Sequence, residues 1–272
     1  MENNIENNMD YKRKFVRFLI ETGALIFGEF TLKSGRSSPY MINTGKLDSG
    51  ASLARLGCFY ARSIYEKMEL EVIPRDTSIL FGSAYKGIPL AAAASIAMSA
   101  AFDLNIGYAF NRKEAKDHGE GGVFIGKKPG MSDRILIIDD VMTAGTALRD
   151  TVDLLNIHAP EAKVIGSVIA VDRKERGRDQ RLSAVAETQY ELGIPIFSII
   201  DIDEILAALK SDMFAGEISM PEMTADEAKE QEQIARQCYF CGSGIEDAAK
   251  VKLPTPEQIA AIEAYLEENR PR

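Results

Sequence analysis

Cysteine and histidine are scarce in this sequence, and what they can build is limited to match. The three cysteines, Cys58, Cys238 and Cys241, are too few for a disulfide framework and suggest a reducing cytoplasm. Cys238 and Cys241 have the spacing of a zinc half-site, yet a tetrahedral structural site needs four ligands. Only Cys58, His118 and His158 remain to supply the others, so the pair reads as structural or incidental. No apolar run reaches membrane-spanning length. Met1–Asp10 is polar and acidic, neither a secretory signal nor an Arg-rich transit peptide. No Gly-X-Gly-X-X-Gly follows the first sheet strand, which argues against a dinucleotide-binding oxidoreductase. Positive charge is lacking too. The net charge is −9, and residues 211–272 hold 13 of the 41 acidic residues but 6 of the 32 basic ones, net −7. A near-neutral body with an acidic end is a poor nonspecific nucleic-acid binder.

What is present is a core: 46% of the 272 residues are hydrophobic, enough for one large domain or a domain with an appendage. Residues 1–9 read as disordered. Tyr11–Thr22 has Phe15, Phe18 and Leu19 at helical spacing, and Ile26–Tyr40 alternates as a hairpin with Lys33 at its tip. Ala51–Met68 is an amphipathic helix. Five apolar strands follow, at Ser78–Gly82, Ile106–Phe110, Ile135–Asp139, Val164–Val171 and Ile196–Ile200, alternating with helical stretches. That alternation predicts an α/β fold with a mainly parallel sheet covered by helices on both faces. Beyond Lys210 the chain turns acidic and poor in large apolar residues. Helices are expected at Thr224–Arg236 and Pro256–Glu268, the second opened by Thr255-Pro256. This helical appendage should pack on the body or a partner, and composition alone makes it dispensable for chemistry.

The most informative stretch is Ile135–Ala147. Four aliphatic residues run into Asp139 and Asp140, then into Val141, Met142, Thr143, Ala144, Gly145, Thr146 and Ala147 at the start of a helix. Acids at the carboxyl end of a buried strand stand where open α/β sheets bind ligands. The turn offers backbone N–H groups and two hydroxyls as an anion cradle. A phosphate at the turn and a hydroxyl-bearing sugar at the acids would satisfy both halves. A second polar stretch, Asn111–Gly122, carries Arg112, Lys113, Lys116 and His118 and ends in three glycines. As a loop leaving the same end of the sheet, it is placed to close over a diphosphate.

Residues 135–147 resemble the phosphoribosyl diphosphate signature of the type I phosphoribosyltransferases. Residues 111–121 resemble the catalytic loop of the orotate phosphoribosyltransferase family, and segments 27–36, 84–89 and 172–177 agree with it in collinear order. The resemblance covers about residues 11–210, consistent with one domain of ordinary size. It implies a type I phosphoribosyltransferase domain at 10–210, with a hood subdomain at about 10–50 and a core at about 51–210. The activity it implies is phosphoribosyl transfer to orotate, in a homodimer whose 111–122 loop reaches the neighbouring subunit's site. Lys33, Tyr85, Lys86, Arg112, Lys113, Lys116 and His118 would contact phosphoribosyl diphosphate, and Asp139–Ala147 would hold the ribose and its 5-phosphate. Thr143 and Arg173 would contact orotate, with Met41 and Ile42 lining the base pocket.

Magnesium held mainly by the diphosphate and the sugar would take up leaving-group charge together with the loop cations. Asp139 and Asp140 would favour the electron-poor sugar. The orotate ring nitrogen is already readily deprotonated, so no strong base, and no Ser/His/Asp triad, is required. The resemblance leaves the proton donor to diphosphate open between Lys116 and His118. Two other readings share the signature. A purine-salvage enzyme would lack Arg173 and the Arg112–His118 spacing, and a noncatalytic regulator would carry a basic face or DNA-binding module that is missing here.

Overall fold

The computed structural model describes residues 2–31, 35–116, 122–178, 180–211 and 253–271, with the side chains of 2–10 and 113–116 left out. Its framework is a six-stranded sheet. In spatial order the strands are β5 (Gly122–Gly126), β4 (Gly107–Lys116), β3 (Ile79–Gly82), β6 (Arg134–Val141), β7 (Lys163–Asp172) and β8 (Ile196–Asp201). All neighbours pair in parallel except β4 and β5. The central strand β6 shows why a continuous apolar run was needed. Ile135 and Ile137 face one hydrophobic cluster while Leu136 and Ile138 face the other, all four fully buried.

The larger cluster lies under α1 (Glu2–Glu21), α2 (Gly50–Glu69) and α3 (Gly87–Phe102). It is completed by α6 (Ile202–Lys210) and α7 (Pro256–Asn269). The smaller cluster lies under α4 (Thr146–His158) and takes in Val185 and Leu192 of α5 (Ala184–Leu192). A separate antiparallel hairpin of β1 (Leu25–Thr31) and β2 (Ser37–Ile42) lies within the segment expected as the hood.

Three expectations change. Residues 2–9 continue α1 rather than being disordered. No Gly or Pro interrupts that stretch, and extending a helix already nucleated by packing costs little. The polar stretch 111–122 is in part sheet. β4 runs on to Lys116, which pairs with Gly122, and β5 adds a sixth, antiparallel edge strand. Its signal was the apolar Val123-Phe124-Ile125 between glycines, with Phe124 edge-on to Phe81. The two described zinc-ligand candidates also lie apart. Cys58 is buried with α2 in the larger cluster, whereas His158 packs on Phe124 of the smaller one, across the sheet. Lys33, His118, Cys238, Cys241 and the helix expected at Thr224–Arg236 lie outside the described residues.

The appendage helix at the end of the chain forms as its sequence requires. Thr255 caps α7 in a capping box with Gln258, and Pro256 occupies the first turn. Ile262, Tyr265 and Leu266 are buried against the body.

α2 and α3 approach each other closely because position 57 is glycine. A Cβ there would lie 2.7 Å from the backbone and Cβ of Ala93. Ala is the better helix former by up to about 1 kcal/mol, but such overpacking costs about 1–3 kcal/mol. Gly57→Ala is therefore expected to lower the urea-unfolding free energy by about 1–2 kcal/mol. An unchanged or raised midpoint would show that the two helices separate freely.

Candidate active site

β3 and β6 end side by side, and each runs directly into the turn of a helix. The turn after β3 packs so closely that a Cβ on Gly82 would lie 2.3 Å from the Gly87 carbonyl oxygen, and one on Gly87 2.4 Å from that of Ile138. Small residues at both positions thus press Tyr85 and Lys86 against the end of β6; the Ala84–Tyr85 peptide is cis. Lys86 Nζ reaches Asp140 Oδ2 at 2.7 Å, and the buried Thr44 hydroxyl donates to the same oxygen at 2.6 Å. Asp139 Oδ1 accepts the Asp140 N–H at 2.9 Å, and the Tyr60 hydroxyl donates to the Asp139 carbonyl at 2.6 Å.

The two acids are not equivalent. Burial, then the neighbouring Asp140 charge, pushes the Asp139 carboxyl up to about 7, against the ordinary 3.8. Burial and both acids likewise raise the Tyr60 phenol, which keeps it a donor.

Helix capping divides the structure in two. Ser49, Ser183, Asp201 and Thr255 cap α2, α5, α6 and α7 with their side chains. The helices α3 and α4, which start at the ends of β3 and β6, have no side-chain cap and no acid in their first turns. At α3 the Gly87 and Ile88 N–H groups donate to the Ser83 and Tyr85 carbonyls and Pro89 has none, so it is the first turn of α4 whose orphan N–H groups and positive dipole end are open to an anion. At α4 the cap is Gly145 at φ +71°, where a Cβ would collide with the Thr188 hydroxyl at 2.4 Å. Arg149 braces this turn through the Ala144 carbonyl and through Glu191 and Thr188. Asp139, Val141–Thr143 and Gly145–Leu148 line a cavity of about 240 Å³ with Ser167 and Ile169. The Ser167 hydroxyl at its wall is buried with no hydrogen-bond partner among the described residues.

One strand over, β7 leads into Arg173, level with the acids through the Val141–Val171 pairing. Its Nε donates to the Tyr40 hydroxyl at 3.2 Å, and Nη2 contacts Glu175 at 2.7 Å and Ser38 at 3.4 Å. Nη1 makes no hydrogen bond to a described residue. Burial opposes its charge, but Tyr40 and Glu175 outweigh that and raise its pKa.

Residues 50–191 match the family model for the phosphoribosyl transferase domain. The orotate phosphoribosyltransferase of Bifidobacterium adolescentis is 41% identical over 94% of this chain and 96% of its own length. That of Pseudomonas aeruginosa is 48% identical over 74% and 90%. The crystal structure of the Francisella tularensis orotate phosphoribosyltransferase, 36% identical, superposes with a TM-score of 0.62 over 81% of this chain and 98% of that one.

The chain belongs to the orotate phosphoribosyltransferase family. Its type I phosphoribosyltransferase fold is the mostly parallel sheet and flanking helices described above.

Of the residues expected in an orotate phosphoribosyltransferase site, the structure brings Lys86, Asp139, Asp140 and the 141–147 turn into one region. Tyr85 is exposed in the turn before α3. Met41 and Ile42 are half-buried on β2, next to Tyr40. Arg112 lies on β4, its Nε buried without a partner among the described residues. For Lys113 and Lys116 only the β4 backbone is described. Thr44, Tyr60, Tyr40, Ser38 and Glu175 were missed. Each reaches the site across 79 to 135 residues or through such a partner, and no local pattern announces such contacts.

The raised Asp139 pKa gives a stability test. In the unfolded chain this carboxyl ionises near 3.8, whereas the folded protein holds its proton up to about 7. The stability it contributes is full below about pH 4 and is lost as the pH rises to about 7. Asp139→Asn keeps the neutral form at every pH. The ligand-free variant should match wild type at low pH and gain on it through this window, by on the order of a few kcal/mol at pH 8. A stability difference independent of pH would remove Asp139 as a buried, strained acid.

Proposed function

We propose that this enzyme transfers the phosphoribosyl group of 5-phospho-α-D-ribosyl 1-diphosphate to orotate, giving orotidine 5′-phosphate and diphosphate in pyrimidine biosynthesis. The observation that carries this reading is the pairing of the open first turn of α4 with a carboxylate pair, one strand away from a buried arginine whose Nη1 makes no hydrogen bond to a described residue. Phosphates suit the first, sugar hydroxyls the second and a carboxylate-bearing base the third.

In this reading the 143–147 turn and the start of α4 hold the 5-phosphate. Asp139 and Asp140 accept the ribose hydroxyls, whose donation favours the ionised form of Asp139. The ionised pair then stabilises the positive charge that develops on the sugar ring as the bond to diphosphate breaks. Lys86, tied to Asp140 in the free enzyme, and the exposed Tyr85 would contact the phosphoribosyl diphosphate. Arg112, Lys113, Lys116 and His118 would bind the same group, with Lys116 or His118 as proton donor. Lys33 contacts phosphoribosyl diphosphate from the hood. Arg173 pairs with the orotate carboxylate through Nη1, Thr143 contacts the ring, and Met41 and Ile42 bound the pocket.

Magnesium fits the donor set. The hard carboxylate oxygens of Asp139 and Asp140 suit an ion that would be carried mainly by the substrate's diphosphate and sugar oxygens beside them. Bound there, it supplies charge neutralisation at the leaving diphosphate. We place the enzyme in the cytoplasm on its cysteine usage, Cys58 being a buried thiol; no described helix is long and apolar enough to cross a membrane.

Diphosphate release should depend on orotate, with uracil and hypoxanthine as poor acceptors. Arg173→Ala should raise the KM for orotate far more than that for phosphoribosyl diphosphate, since truncating a buried charge pair costs on the order of 2–5 kcal/mol. Equal activity with all three acceptors would refute the reading. A chelator should abolish turnover and added Mg²⁺ restore it; full activity after exhaustive chelation would remove the metal.

The homodimer with a shared 111–122 segment has its own test. Lys116→Ala and Asp139→Asn/Asp140→Asn should each be nearly inactive alone. If the segment acts across the interface, a mixed dimer has one site with both lesions and one with neither. Random exchange should then recover roughly a quarter of wild-type activity per site. Exchange without recovery would show that each subunit closes its own site.

A further inference from the structure

The loop that follows β7 is braced from outside by the acidic C-terminal segment. The Arg176 N–H donates to the Asn269 carbonyl at 2.9 Å, and the Arg176 guanidinium donates to the Glu268 carbonyl, both at the carboxyl end of α7. Arg270 pairs with Asp203, whose other oxygen takes Lys174 Nζ at 3.1 Å. Lys174 sits at φ +50°, a left-handed conformation that a lysine keeps only where its surroundings enforce it. One turn back along α7, the buried Tyr265 ring meets Tyr40 edge-on, with centroids 6.1 Å apart and planes at 83°.

Tyr40 is the pivot of this arrangement. It accepts from Arg173 Nε at 3.2 Å and donates to Glu175 at 3.1 Å, while Glu175 holds Arg173 Nη2. A shift of the Tyr40 ring therefore passes directly to the guanidinium. The Tyr265 hydroxyl approaches Glu175 without forming a full hydrogen bond, so its ring does the packing and its hydroxyl is dispensable.

We infer that α7 is a positioning element for base selection: the Tyr265 ring behind Tyr40 and the Glu268 and Asn269 carbonyls at Arg176 set the 173–176 loop so that Arg173 presents Nη1 to the carboxylate of the incoming base. This rests on the reading of Arg173 as the partner of orotate. It gives the C-terminal segment a part in substrate selection, where composition alone predicts a role only in stability or association. Tyr265 acts through Tyr40 and touches no substrate.

The test uses the full chain and both substrates. Tyr265→Ala should raise the KM for orotate by about ten- to a hundred-fold, the effect expected of a displacement near 1 Å at a binding group. The KM for phosphoribosyl diphosphate should stay within about two-fold of wild type. Tyr265→Phe, which keeps the ring, should behave as wild type. Glu263→Ala, which loses only the contact of α7 with Lys210, should leave the KM for orotate unchanged and so control for loosened docking. Because coupling between sites is reciprocal, orotate should slow amide exchange in residues 256–269 of the wild-type enzyme. That measurement decides the matter even if Tyr265→Ala does not fold. A folded Tyr265→Ala enzyme whose two KM values are unmoved or move together overturns the inference, as does exchange in α7 that ignores orotate. If Arg173→Ala is selective for orotate while Tyr265→Ala is not, only the positioning role falls. If Arg173→Ala is unselective, the assignment of Arg173 falls and the positioning role with it.

Discussion

Asp139 and Asp140 close the central strand of a sheet covered on both faces, so neither can be hydrated as an exposed acid would be, and the Asp140 charge raises the cost of ionising Asp139. The surrounding structure answers this constraint unequally. Asp140 receives the Lys86 ammonium and the Thr44 hydroxyl, two strong contacts that Asp139 lacks. Asp139 receives one backbone N–H and keeps its proton to about pH 7. The free enzyme thus holds an acid in reserve, stabilised only when a ligand donates to it. Strain of this kind is typical where binding, not folding, is to supply the missing contacts.

The same logic explains the pattern of helix caps. A side-chain cap satisfies the first-turn N–H groups within the protein and closes them to a ligand. The helices α2, α5, α6 and α7, which begin away from the acids, have such caps. The two whose first turns meet the acids do not; backbone carbonyls take the first N–H groups of α3, while α4 begins at a left-handed glycine and leaves its own open. Close packing at Gly82 and Gly87 brings the start of α3 to the same place. Negative phosphates and positive helix ends are then matched on one side of the acids, with the guanidinium of Arg173 on the other.

A buried arginine needs a buried counterpart, and Glu175 is it. That pairing leaves Arg173 dependent on groups that hold Glu175 and Tyr40 still, and these come from the hood and from α7, remote in the chain. The C-terminal helix carries few large apolar residues, yet three of them, Ile262, Tyr265 and Leu266, are buried where they brace this network. Composition averaged over the whole segment hides so small a contact.

Periodicity along the chain was enough to establish the α/β architecture, the parallel order and the strand–turn–helix unit at 135–147, because each depends on residues adjacent in sequence. A buried parallel strand must be apolar on both faces, and a turn that cradles an anion must be small. The β4–β5 ribbon escaped because its polar residues break the alternation that marks a strand, and β5 is short. The contacts that tune the site escaped for another reason. Thr44 reaches Asp140 across 96 residues, Tyr60 reaches Asp139 across 79 and Tyr40 reaches Glu175 across 135. Which side chain meets which acid, and hence which acid is charged, follows from the packing of hood, core and C-terminal helix. Local sequence determined the parts that bind, and the tertiary structure decided their protonation and their aim, since burial and distance exist only once the chain has folded.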